Sequence, residues 1–446
     1  LLPKSPRLRR ILFAYTVNEL GTWFGYVALA LGVYEHTRSA IATAGLFVAR
    51  GLLPALLAPV LVARVERSTG RGRLMRLYML EAALTAALAA LLWKFWLPGV
   101  LVLVTLDGIV AVAATALVRA SAARVAAEEA GGPVRLSADP IEGSAVAGAP
   151  AESLNTAYTE QQVAAQREAG AALNFAFMGA LAGGPALAGL LVHVVGGPVA
   201  LLIDAATFVV CAGLLAQLST HIAGGDGDSI RSRLQAVLTH VRLVPALRAL
   251  FFTEAVAIVF FASVEPVEVV YAKSTLSAGA LGYGLLLAAW GVGAALGAVV
   301  FARSVRRPLG PMLSGGTLLV GLAYLGFAGA PSLALACAAA VVGGVGNGVQ
   351  WPSLISAVQQ LTPASLHGRL MSAVGSLNAL CPAIGFALGG AIVAASSPRV
   401  AMGVAGTIAS LATLAFLRLP IGGLLSTPEK TTAIADEATL VSGMTQ

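Results

Sequence analysis

Long unbroken apolar runs, rather than alternating ones, set the pattern of this chain. They recur near residues 11–33, 41–63, 74–93, 97–118, 170–195, 198–218, 247–271, 281–302, 311–329, 332–358, 369–395 and 399–418. Each is close to the roughly 20 residues that carry one helix across a bilayer core. Continuous runs of that length predict helices, because a segment in lipid must satisfy its own backbone polar groups. The third and fourth runs are divided by LWKFWLPG (Leu92–Gly99), where Pro98 and Gly99 suit a turn and Trp93 and Trp96 suit a membrane interface. The expected fold class is an all-α membrane protein with twelve transmembrane helices.

Two longer polar segments interrupt the runs. Ser219–Ala246, with the sequence HIAGGDGDS, falls between six runs and six and reads as a linker. Residues 1–218 would then form one six-helix bundle, 247–418 a second, and 419–446 a tail. Glu128–Glu168 is rich in Ala, Gly and Ser and holds seven acidic residues against Arg135 and Arg167. Its middle, about 131–156, has the composition of a disordered segment, whereas TEQQVAAQREAG at its end suits a helix leading into the fifth run. A tolerated insertion is the plain reading; a partner-binding segment of a membrane scaffold is the alternative.

Composition removes the soluble classes. The chain is 58% hydrophobic and 11% charged, with a mean hydropathy of +0.85. From Arg307 to Arg369 there are 61 consecutive residues without Asp, Glu, Lys or Arg. The net charge of +7 suggests nucleic-acid affinity until the basic residues are placed on the layout. Of the 28 Lys and Arg residues, 23 fall on the side of both termini, 4 on the other side, and Arg50 lies inside a run. That asymmetry predicts cytoplasmic termini in a cell membrane and makes the basic excess a matter of topology. No nucleic-acid partner is expected. The basic N-terminus leads into a full-length run, so a cleavable leader is not expected, and the missing initial Met suggests a trimmed or partial start. Cys211, Cys337 and Cys381 lie far apart, so neither a disulfide nor a metal site is expected. With no phosphate-binding loop and no nucleophile–base motif, neither an enzyme nor a cofactor is expected. A monomer is expected.

The two halves echo each other. ARVER (Ala63–Arg67) follows the second run and ARSVRR (Ala302–Arg307) the eighth; GPALAGLL (Gly184–Leu191) lies in the fifth and GFALGGAI (Gly385–Ile392) in the eleventh. LLID with TFVVCAGLL (Leu201–Leu215), LGYGLLLAAWGVGAALGAVV (Leu281–Val300) and LTPASLHGRLMSAVGSLNAL (Leu361–Leu380) add to the pattern. In these segments the chain resembles the major facilitator superfamily, and within it the drug:proton antiporter branch that includes macrolide and siderophore exporters. The resemblance spans the chain apart from the acidic insertion and the tails. It implies two pseudo-symmetric six-helix bundles in the same orientation, with a substrate site between them at mid-membrane.

The resemblance also marks conformational motifs. After the second span the family carries Gly-x-x-x-Asp-Arg-x-Gly-Arg, a latch of the outward-open state. Here LVARVERSTGRGR offers Glu66 and Arg67 for Asp-Arg and Gly70 and Arg71 for Gly-Arg, with two extra residues between. Between spans ten and eleven, Gly368 and Arg369 match the family's Gly-Arg, and His367 replaces the preceding Arg. The antiporter motif of span five survives in its core as Gly184, Pro185 and Gly189, with Ala180 and Ala188 at relaxed positions. In the family that motif goes with exporters.

Ionisable residues inside spans are costly and default to function. Glu19 shares a helical face with Tyr15, Thr22 and Tyr26, beside Trp23. That face suits a bulky apolar or cationic substrate, and low dielectric favours a carboxyl that carries a proton. Asp107 and Arg50 lie near the middles of spans four and two, so they could neutralise each other, or Arg50 could pair with Glu19. Glu254, Glu265 and Glu268 fall in one stripe of span seven with Phe261, and Pro266 follows Glu265. Glu19, Asp107 and Glu265 are therefore the candidates for proton coupling. Tyr15, Trp23, Tyr26, Arg50, Glu254, Phe261 and Asn378 are the cavity candidates. Glu81 and Asp204 lie nearer span ends and read as snorkelling or capping groups. The expected function is proton-coupled export of amphipathic small molecules, with the bilayer and protons as partners. The alternatives are a metabolite importer of the same fold and a non-transporting scaffold.

Overall fold

The computed structural model describes residues 5–66, 70–131, 160–216, 218–220, 244–304, 307–362 and 367–418. Among these residues the chain forms twelve α-helices. In the first half these are α1 (Pro6–Thr37), α2 (Ala40–Glu66), α3 (Arg73–Trp93), α4 (Leu97–Gly131), α5 (Glu160–Val195) and α6 (Gly197–Leu215). In the second they are α7 (Pro245–Val270), α8 (Gly279–Arg303), α9 (Leu309–Gly329), α10 (Leu333–Gln360), α11 (His367–Ala395) and α12 (Pro398–Arg418). Nine contain windows long and apolar enough to cross a membrane, by length and composition. The first helix, α1, is not among them. It packs on both α5 and α6, and α11 and α12 contribute shorter apolar stretches, Leu380–Ala395 and Pro398–Leu414.

Helix ends follow local chemistry. Ser5 caps α1, its Oγ accepting from the Leu8 N–H at 3.2 Å, and Pro6 occupies the first turn. The turn into α6 passes through Gly196 at φ 83°, a conformation that glycine adopts without strain. Two helices run further than the hydropathy pattern indicates: α4 continues to Gly131 and α5 begins at Glu160. The expected insertion therefore contributes helix at both ends, including EQQ from Glu160 onward, while its residues 132–159 lie outside the described residues. So do most of the expected linker (221–243) and the tail (419–446). A short antiparallel pairing joins Gly70–Arg71 (β1), between α2 and α3, to Ser219–Thr220 (β2), after α6.

The apolar core is divided in an informative way. One cluster draws on both halves and collects at the end of the bundle remote from the termini, from Val27–Leu31 and Phe47 to Val267–Ala272, Tyr283 and Phe386. Nearer the termini there are two separate clusters. One is built from first-half residues such as Ile11, Leu74, Leu117 and Leu215. The other uses second-half residues such as Leu247, Leu313, Leu354 and Leu370. The halves are thus packed together at one end and carry their own cores at the other.

Two helix pairs make the main joint, α5 with α8 and α2 with α11. Glycine permits both. A Cβ on Gly189 would stand 2.7 Å from the Ala280 carbonyl oxygen and 2.9 Å from the Gly284 Cα. At the repeat-equivalent position, a Cβ on Gly390 would meet the Ala44 Cβ at 2.6 Å. The sequence repeat is therefore a repeat of contacts at one position: Gly189 seats α5 on α8 and Gly390 seats α11 on α2, while Gly385 and Gly389 lie against α7. Such small-residue faces let helices in lipid approach until backbones touch. Pro185 sits inside α5 without ending it.

Candidate functional site

A cavity of about 210 Å³ lies inside the first bundle, among α1, α2, α3, α4 and α6. Its polar wall comprises Glu19 of α1, Arg50 of α2, Glu81 and Thr85 of α3, Asp107 of α4 and Asp204 of α6. Glu81, Asp204 and Asp107 are deeply buried, at 2%, 3% and 8% exposure. The placement of Asp204 depends on α1: Gly21 and Gly25 face its carboxylate, and a Cβ on Gly21 would stand 2.6 Å from Oδ1. Thr207, one turn on, donates to the Asp204 carbonyl at 2.7 Å. Thr85 reaches the Asp107 carboxylate. One oxygen each of Glu81 and Asp107 has no hydrogen-bond partner among the described residues.

Arg50 faces these acids without touching them. The salt bridges within 4 Å among the described residues are Arg124–Glu128, at 2.7 Å, and Lys273–Glu35. The direct pairing of Arg50 with Asp107 or with Glu19 that the sequence suggested is therefore corrected. The guanidinium instead stands over the Tyr26 ring, 5.8 Å from its centroid. Tyr26 in turn donates its hydroxyl hydrogen to Glu265 Oε2 of α7, at 3.3 Å. Arg50 is thus the link between the acids of the first half and the acid of the second.

The expected aromatic face of α1 is present but divided by depth. Tyr15 is buried towards the terminal end, where Arg119 donates to its hydroxyl at 2.8 Å, and Glu19 lies beside this pair. Trp23 and Tyr26 meet edge to face at 5.5 Å nearer the joint. Gly184 makes room for Trp23, since a Cβ there would come within 2.5 Å of the indole Cδ1. Tyr26 also packs on Phe47, and Phe47 on Phe386 of α11, with centroids 5.4 and 5.5 Å apart. On the facing half, Phe261 meets Tyr324 edge to face at 6.0 Å, and Trp290 stacks on Tyr324 at 5.7 Å.

The stripe of three acids on α7 is divided, with Glu265 and Glu268 near each other and Glu254 apart. Glu265 joins Tyr26, Glu268 is buried near Tyr283 and Tyr324, and Glu254 accepts from Gln350 Nε2 of α10 at 3.2 and 3.3 Å. Asn378 donates to the Val374 carbonyl of its own helix at 3.0 Å. Gly70 and Arg71 form β1, and Gly368 and Arg369 open α11. Arg67 lies outside the described residues, as do the side chains of Glu66, Arg71 and Arg369. Glu81 and Asp204 are the residues that sequence reasoning underweighted. Signals for them existed: Glu81 with Thr85 and Asp204 with Thr207 are polar pairs on single helix faces, and Gly21 with Gly25 is a matching small-residue pair. No group of three or more His, Cys, Asp or Glu side chains gathers to ligate a metal among the described residues.

Comparison with known proteins bears on the fold. Residues 250–439 match the family model of the Major Facilitator Superfamily. The chain is similar in structure to nucleoside transporter NupG, with a TM-score of 0.66, 11% identity, and 93% of this chain and 98% of that chain covered. It is similar to a POT family transporter in complex with a thioalcohol conjugated peptide, with a TM-score of 0.65, 14% identity, and coverage of 92% and 95%. It is also similar to a bacterial homologue of the iron transporter ferroportin in an inward-facing state, with a TM-score of 0.64, 13% identity, and coverage of 93% and 99%. None of the curated proteins matches. The fold is that of the major facilitator superfamily, and the chain is a multi-pass membrane protein.

Proposed function

We propose that this protein is a secondary transporter that exports amphipathic small molecules in exchange for protons, by alternating access. The observation that carries this reading is the position of Arg50. It faces the carboxylates of the first bundle on one side and, through Tyr26, Glu265 of the second bundle on the other. A proton arriving on Glu81, Asp107 or Asp204 weakens the pull of that acid on Arg50, and the guanidinium shifts its interaction toward Tyr26 and Glu265. A proton on Glu265 does the reverse. The balance between the bundles then depends on which carboxylate is neutral, which is what coupling requires.

The substrate path runs between the halves, with Trp23, Tyr26, Phe261 and Trp290 offering aromatic surface to a bulky amphipathic molecule. The excess of basic residues on the terminal side supports cytoplasmic termini in the cell membrane. With that orientation, halves packed together at the remote end correspond to a cavity open to the cytoplasm, and one similar structure is of an inward-facing state. The Gly184–Pro185 core, through the resemblance of its motif to that of exporters, supports export over import. The protein is proposed to act as a monomer, with bundles 1–218 and 247–418.

The test is efflux from proteoliposomes loaded with a fluorescent amphipathic amine. Export that accelerates when an opposing proton gradient is imposed supports exchange. An efflux rate indifferent to the gradient overturns it.

A further inference from the structure

The cavity inside the first bundle has a chemistry that coupling alone does not explain. Four carboxylates from four different helices (Glu19, Glu81, Asp107 and Asp204) line it with one guanidinium, that of Arg50, while Glu19 also has Arg119 near it. Glu81 and Asp107 are more than nine-tenths buried, line the cavity, and each has an oxygen with no hydrogen-bond partner among the described residues. Buried carboxylate oxygens without donors are costly, so these two oxygens await donors from within the cavity.

The arrangement also says what kind of donor fits. A metal ion needs several ligands converging on one point, and no three acids do so among the described residues. One ammonium group likewise presents its donors at one point. Carboxylates carried by α1, α3, α4 and α6 offer acceptors to more than one positively charged group. Leu88, Leu201 and Phe208 supply apolar wall in the same cavity, which suits methylene groups. The volume of about 210 Å³ is generous for an ion and below the roughly 300–1,000 Å³ of a drug-sized pocket. Arg50, drawn to the Tyr26 ring, leaves the carboxylates without a direct ion pair.

We propose that this intrabundle cavity is a binding site for a small aliphatic diamine, one ammonium end held by Glu81 and Asp107 and the other by Asp204 or Glu19. The inference goes beyond the export reading. Its test uses no proton gradient, so it can fail while proton-coupled export stands, and the reverse.

The test is calorimetric titration of the purified full-length protein in detergent at fixed ionic strength, with putrescine as probe and n-butylamine and sodium chloride as controls. Expected is saturable putrescine binding, about tenfold or more tighter than n-butylamine. Glu81→Gln and Asp107→Asn should each weaken it about tenfold. Glu128→Gln, which removes an acid paired with Arg124 at the exposed end of α4, should leave it unchanged. If Glu81→Gln does not stay monodisperse, Asp107→Asn and the diamine-to-monoamine ratio on the wild-type protein decide. Equal or absent binding of the two amines overturns the proposal. So does saturable sodium binding in place of putrescine binding, or putrescine binding that survives both substitutions.

Discussion

The two bundles carry acids in similar numbers and treat them differently. In the first, Glu81, Asp107 and Asp204 surround a cavity with Arg50 standing off from them. In the second, Glu254 is bonded to Gln350 and stands apart, whereas Glu265 and Glu268 lie near each other beside Tyr26, Tyr283 and Tyr324. An acid that shares a cavity with others responds to their protonation. An acid that stands apart from the others on a neutral partner, as Glu254 does on Gln350, has no neighbouring carboxylate to answer to. The bundles are alike in outline, yet the acids that line one cavity together with a cation lie in the first.

Removing the shared cation should strain that contrast most. Arg50→Met leaves the acids of the first bundle facing one another without compensation. It should cost about 3 kcal/mol of stability at pH 8. The loss should shrink at pH 5, because protonation removes the uncompensated charge. Thermal unfolding in detergent at the two pH values measures this, and an equal loss at both would break the comparison. Next in size is a matched pair of substitutions. Glu81→Gln should lower gradient-driven transport about a hundredfold, near 2.7 kcal/mol. Glu254→Gln should lower thermal stability by about 1 kcal/mol and leave gradient dependence intact. If Glu254→Gln uncouples transport as strongly as Glu81→Gln, the bundles do not differ in the way argued.

Smaller effects sharpen the picture at the joint. Tyr26→Phe keeps the ring beneath Arg50 and removes one hydrogen bond to Glu265. It should cost about 1 kcal/mol, seen as a change of about fivefold in transport rate. Glu35→Gln breaks the partly exposed ion pair with Lys273 at the end remote from the termini. The effect should stay below about 1 kcal/mol and diminish in high salt. A larger effect would mean that this pair, rather than the apolar contact beneath it, holds the halves together.

Much of the fold was legible because its determinants are local. Span length, and the LWKFWLPG break between the third and fourth runs, mark helix ends in the chain itself. The continuation of α4 through Arg119–Gly131 was not, because its charged residues suggest a loop when hydropathy is the guide. The site was legible one residue at a time. Glu19, Arg50 and Asp107 stand out as charges inside apolar runs, and all three line the cavity. Glu81 and Asp204 stand out less, because position along a span is a poor guide to burial, which depends on the direction a residue faces. Tyr26 and Glu265 are 239 positions apart, so their contact follows from how the bundles meet and leaves no mark on either segment.

The glycines at the joint have a mechanical consequence. Where Gly189 of α5 meets Gly284 of α8, backbone lies against backbone with no side chain between them. A contact of that kind has no rotamers to reorganise as the angle between helices changes. It works as a smooth bearing: the halves can tilt about it without unlocking interdigitated teeth. Resistance to tilting then has to come from elsewhere, from the aromatic contacts and charges beside it.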